Sequence, residues 1–191
     1  VGAPIIKDKL FVFVSAEYDR QSTPNIYTPL NGTYGDEFSA DEARKVMTHY
    51  KENYAKGVAG FSESIDPKQI VSSSVNALAR IDWNINRNNK LMVRYQHMNA
   101  SADSYKSNSG AYYFANSGYK LSTVNNIAVV ELNSRISDMV SNEFRASAVI
   151  VRDHRDVAYN GASVRIRGFK GLRDVYISSE KSSGANAVNT D

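Results

Sequence analysis

With 191 residues, 23 basic against 20 acidic side chains, a net charge of +3 and no cysteine, the chain excludes disulfides, zinc–thiolate sites and thiol nucleophiles. The mild positive excess argues neither for nor against a nucleic-acid partner, and four prolines with eleven glycines exclude a low-complexity chain. No run approaches the roughly 20 apolar residues of a membrane-spanning helix, yet a mean hydropathy of −0.43 leaves a membrane β-barrel open, because a barrel shows lipid only alternate residues.

The chain starts at Val1 without a signal peptide, as a mature chain or an excised fragment would. The first expected strand is 9–19, "KLFVFVSAEYD". Leu10, Val12, Val14, Ala16 and Tyr18 share one face. Phe11 and Phe13 open the other face, which turns polar at Ser15, Glu17 and Asp19. A long connection, 20–76, follows. Within it "SADEARKVMTHYKENY" predicts a small amphipathic helix that packs its own loop: Ser39 and Glu42 have capping-box spacing, and Ala43, Val46, Met47, Tyr50 and Tyr54 recur at helical intervals.

Strand two, 77–86, sets Ala77, Ala79, Ile81, Trp83 and Ile85 against Arg80, Asp82, Asn84 and Asn86. The tight polar turn "RNNK" leads into strand three, 91–99, where Leu91, Val93 and Tyr95 oppose Met92, Arg94 and Gln96. A second long stretch, 100–123, is rich in Tyr and Ser. Strand four, 126–136, turns Ala128, Val130, Leu132 and Ile136 away from Glu131, Asn133 and Arg135. After the short "DMVS", strand five, 142–153, alternates Phe144, Ala146, Ala148 and Ile150 with Glu143, Arg145 and Ser147. The remainder, 155–191, ends on "SSEKSSGANAVNTD", which reads as an unfinished loop.

Each strand is about as long as a tilted bilayer crossing, about 9 to 11 residues. Connections alternate long and short, as in outer-membrane barrels with long loops outside and short turns in the periplasm. The expected fold is therefore all-β: an antiparallel up-and-down transmembrane β-barrel, seen as about five strands, with one short helix in an extracellular loop. Val12, Val14, Tyr18, Ile81, Trp83, Ile85, Val93, Tyr95, Val130, Leu132, Phe144, Ala148 and Ile150 are expected to face lipid. Glu17, Arg80, Asp82, Arg94, Glu131, Arg135 and Arg145 are expected to face the lumen, with Phe11 and Phe13 low on that side against packed protein. Five strands cannot close, and lipid does not tolerate an open sheet edge, so the expectation is a fragment of a larger barrel.

The strands also carry a resemblance. "GAPIIKDKLFVFVSAEYDR" is similar to the segment that follows the plug in Oar-like TonB-dependent outer-membrane receptors of Bacteroidetes and relatives. "ALARIDWNINRNNKLMVRYQHMNA" and "NNIAVVELNSRISDMVSNEFRASAVIVRD" resemble the next two hairpins of that family. Ala3 stands where the family usually has glycine, and Val12 where phenylalanine is common. The resemblance implies a barrel of about 22 strands in the outer membrane of a Gram-negative cell. It also implies an N-terminal plug, energy from TonB, contact with outer-membrane lipid and lipopolysaccharide, and a surface lipoprotein as an additional partner. The function implied is import of a large nutrient; peptide, siderophore, glycan fragment and vitamin complex all fit as ligand.

Other sites are weaker. His49, His97 and His154 have no ligand-like spacing, so no metal is expected, and no cofactor either. "RDHRD" reads as a solvated rim, and the basic "SVRIRGFKGLR" fits an anionic head group better than nucleic acid. No catalytic constellation stands out, so no enzyme is expected. Tyr112, Tyr113, Phe114 and Tyr119 of "GAYYFANSGY" are the expected ligand contacts, since aromatics offer large amphipathic area at low entropy cost; the alternative is packing against neighbouring loops. The competing function is a soluble or cell-surface β-sandwich binding module, in which a second sheet would cover Ile81, Trp83 and Ile85.

Overall fold

Period-two alternation joined by tight polar turns builds the largest element of the molecule, a seven-stranded antiparallel sheet. The computed structural model describes residues 1–58, 60–65, 69–105, 107–159 and 161–178, and the backbone of Gly184–Thr190. Five long strands form the middle of the sheet: β2 (Leu10–Thr23), β3 (Ile70–Asn84), β4 (Asn89–Ser104), β6 (Tyr119–Arg135) and β7 (Ser141–Val157). A short β1 (Gly2–Ile6) flanks β2, and β10 (Gly184–Thr190) flanks β7. The order β1-β2-β3-β4-β6-β7-β10 is a simple meander. Among the described residues β1 and β10 pair on one side only, so the sheet is open and no barrel is closed.

The fold is therefore all-β as expected, with seven strands in the sheet where five were expected. The five central strands run 14 to 17 residues, longer than the sequence suggested, and the added length lies at the ends that carry the long connections. At the other end the chain turns tightly. Asp8 takes a left-handed conformation, φ 58°, between β1 and β2. Asn86 Oδ1 accepts from the backbone N–H groups of Asn88 and Asn89 at 2.9 and 2.8 Å, an Asx turn that reverses the chain without a glycine.

The long connections are folded. The first carries α1 (Ala40–Tyr54), whose N-cap Ser39 accepts from the Glu42 N–H at 3.4 Å, with Asp41 and Glu42 in the first turn, where the helix dipole favours acids. The second carries β5 (Ala111–Tyr113), and the third carries β8 (Arg165–Phe169) and β9 (Leu172–Tyr176). These three strands form a second sheet, order β5-β9-β8, in which β5 runs parallel to β9 although they belong to different connections. The β8–β9 turn uses left-handed Gly168, Lys170 and Gly171.

The core sits in an unusual place. Phe38, Met47, Tyr50, Ile65, Phe114, Tyr159, Val175 and Ile177 make one buried cluster, and all of them come from the connections. Among the described residues, Val129 is the only buried hydrophobic residue of the seven-stranded sheet. The molecule is thus a bare wall with a packed cap at one end.

Candidate functional site

Backbone register decides what the wall offers, because a one-residue slip would send every side chain to the opposite face. Pairing aligns Leu10, Trp83, Leu91, Leu132 and Phe144 in one row across five strands. The next row is Val12, Ile81, Val93, Val130 and Ala146, and the third is Val14, Ala79, Tyr95, Ala128 and Ala148. Ile81 is 43 % exposed, Trp83 40 % and Phe144 56 %, so among the described residues no protein layer covers this band. Higher on the same face the rows turn polar. Tyr95 Oη donates to Asn126 Oδ1 at 2.7 Å, beside His97 at 2.8 Å from the same oxygen. Arg20, Ser73, Ser101, Ser122 and His154 follow in one row. Tyr18 stands exposed at this border.

From Leu10 to Tyr18 the apolar run is about 26 Å along the strand, or about 20 Å upright at a barrel tilt near 40°. Of the side chains expected on this face, Ile85 alone lies outside a strand, half-buried in the turn after β3. Ile150 pairs with Asn126 one row above Ala148.

The opposite face is charged at its lower end. Arg80 forks onto Asp82 with two hydrogen bonds of 2.8 and 2.7 Å. Arg145 donates twice to Glu131, at 3.1 and 2.8 Å, and lies 3.2 Å from Glu143. Arg135 ends β6 and pairs with Asp138 in the turn at 2.7 Å. Glu17 and Arg94 share this face by register. So do Phe11 and Phe13, opposite Asp82 and Arg80 and both exposed. Among the described residues, three side-chain atoms on this face, Arg94 Nε, Asn125 Oδ1 and Arg155 Nε, are buried from water without a hydrogen-bond partner, an arrangement that costs free energy.

Of the four aromatic residues expected at a ligand surface, two are buried in the cap and two, Tyr113 and Tyr119, are partly exposed. Phe114 is fully buried and Tyr112 is 4 % exposed, their rings 4.9 Å apart edge to face. Tyr113 stacks on Tyr176 at 4.2 Å, and the Arg155 guanidinium lies 3.9 Å over the Tyr119 ring. As the cap is folded, Tyr112 and Phe114 have no face to offer a ligand.

Hydrogen bonds between connections lock the cap. Asn116 and Ser62 exchange two, at 3.0 and 2.7 Å. Tyr50 Oη donates to Ala162 O at 2.6 Å and Tyr34 Oη to Ala111 O at 3.2 Å. Burial raises the pKa of both phenols, so they remain neutral donors. The strip "SVRIRGFKGLR" proves partly neutralised: Arg165 grips Asp174 through two bonds of 2.7 and 2.8 Å. That guanidinium holds the Asp174 carboxyl below its ordinary range. The Asp174 pairing, which joins residues on two strands nine positions apart, has no signature in the sequence.

Among the described residues no group of three His, Asp or Glu side chains is placed to hold a metal ion, and no helix is long and apolar enough to cross a membrane. Comparison with family models, curated proteins and solved structures gives no match.

Proposed function

We propose that this chain is a stretch of the wall and the extracellular cap of a TonB-dependent outer-membrane receptor, the family its strands resemble. The observation that carries the reading is the uncovered apolar band: three consecutive rows register across five strands, with charge on the opposite face. A sheet exposed on one side to hydrocarbon and on the other to a wet lumen needs that division. A soluble sandwich would need a second sheet over Ile81 and Trp83, and both stand exposed.

The two ends support the same orientation. Tight turns gather at one end, and all the folded connections gather at the other. The open edges fit a portion of wall, since a complete membrane sheet has none. The orphaned Arg94, Asn125 and Arg155 atoms, with exposed Phe11 and Phe13 on the same face, suit a lumen filled by further protein, the plug in this reading. Capture of ligand by the cap, followed by plug movement under TonB, is the mechanism proposed.

The absence of cysteine from this stretch permits a direct test in intact cells on the full-length protein with any cysteine outside it replaced. Arg173→Cys in the cap is expected to react with a membrane-impermeant maleimide. Met139→Cys in a tight turn is expected to react only after lysis. Equal labelling of both positions in intact cells, or recovery of the protein in the soluble fraction, would refute the proposal.

A further inference from the structure

We propose that the cap holds a binding site for a small amphipathic acid, an apolar or aromatic body carrying one carboxylate, in the cleft between α1 and the β8–β9 hairpin. The cleft has a volume of about 400 Å³, toward the lower end of the range for small-molecule sites. Its walls are apolar: Val46 and Tyr50 from α1, Ile166 and Phe169 from β8. Two of these walls are held in place. Tyr50 is anchored through its hydroxyl to Ala162 O at 2.6 Å and stacked on Phe61 with ring centroids 5.4 Å apart. Phe169 is held edge to face by Phe38, centroids 6.1 Å apart. Tyr54, at the helix end of the cleft, leaves much of its ring exposed.

The mouth carries the charge. Glu42, Lys45 and His49 line it on successive turns of α1, and Lys170 reaches toward it from the hairpin, 3.9 Å from Glu42. Glu42 is already bonded by Lys45 at 2.8 Å. Two exposed ammonium groups therefore share the Glu42 carboxylate, with the Asp41 and Glu37 carboxylates nearby, and each keeps unused N–H donors at the rim of an apolar cleft. Lys170 takes a left-handed conformation, φ 49°, in the turn of the hairpin, a conformation that a glycine adopts more readily. The acid's carboxylate would bridge Lys45 and Lys170, and its apolar body would lie between Val46, Ile166 and Phe169.

This site is a property of the cap alone and does not depend on what the apolar band of the wall touches. That it serves capture from outside the cell rests on the receptor reading. The test is calorimetric titration of the purified full-length protein with two acids, N-acetyl-phenylalanine and hexanoate, and with the uncharged amide of each. Both acids are expected to bind more tightly than their amides; a preference for the first points to peptide C-termini, and for the second to short fatty acids. The exposed double variant Lys45→Gln/Lys170→Gln should bind either acid about tenfold more weakly, the effect of losing a charge-assisted bond, and the amides unchanged. Phe169→Ala should weaken acid and amide alike. Absence of binding by both acids at millimolar concentration, or acid affinity unchanged in the double variant, would overturn the site whatever the labelling of Arg173→Cys shows.

Discussion

Asp174 lies 4 % exposed, held by two bonds from Arg165 and approached by Arg173 at 3.4 Å. Its folded pKa is lowered, first by the Arg165 hydrogen bonds and then by nearby guanidinium charge. A depressed carboxylate contributes stability above its unfolded value, near 3.9, and loses it as pH falls through the folded value. Glu42, lowered by its Lys45 bond, acts with the same sign. The cap should therefore melt at lower temperature as pH drops from about 6 toward about 3. Asp174→Asn should flatten that acid limb, measured by the pH dependence of the thermal midpoint. An unchanged acid limb would show that the pair contributes nothing. The apolar residues divide more sharply. Phe114 fills the cap core with no exposure, so Phe114→Ala should cost about 3–5 kcal/mol and expose the connections to protease.

Among elements, α1 is the one whose local and tertiary signals agree: its Ser39 cap, its acidic first turn and its buried Ala43, Met47 and Tyr50 coincide. Ser39→Ala should cost about 1 kcal/mol, read as earlier cleavage within 39–54 under limited proteolysis, and the wall strands should be unaffected. That helix was legible in the sequence because capping and periodicity act over a few residues. The lower halves of the five long strands were legible for the same reason, since lipid-side and lumen-side positions differ in chemistry. Their upper halves were not. "IVSSSV" has serines on both faces and leaves no alternation to read, and "NASADS" alternates polar residues only with small alanines, a weak contrast. β8 and β9 pair with each other, but at five residues each they are too short to signal themselves. β5 was missed because its partner lies in another connection: Ala111 pairs with Asp174 across 63 positions. The same non-local packing hid the burial of Tyr112 and Phe114, whose aromatic sequence suits a surface and a core equally well. β1 is five residues with a proline, tolerable on a sheet edge and too short to signal itself.

For the whole molecule, the division of labour is between a wall without a core and a cap that contains one. Each of the long strands runs about 50 Å, roughly twice the apolar band, so the wall continues well past the border marked by Tyr18, Tyr95 and His97. Substitutions should then separate by face. Ile81→Arg, at the middle of the band, should cost about 2–4 kcal/mol in a folding assay into lipid vesicles. Ser73→Arg, on the same face above the border, should cost little. What lies against Ile81, Val93 and Val130 is read most directly by spin-label accessibility at single cysteines in the full-length protein, reconstituted in bilayers. Labels at Ile81→Cys, Val93→Cys and Val130→Cys are predicted to relax strongly with oxygen and weakly with a water-soluble nickel chelate. Strong relaxation by the chelate at those three positions, or shielding from both reagents, would contradict the account.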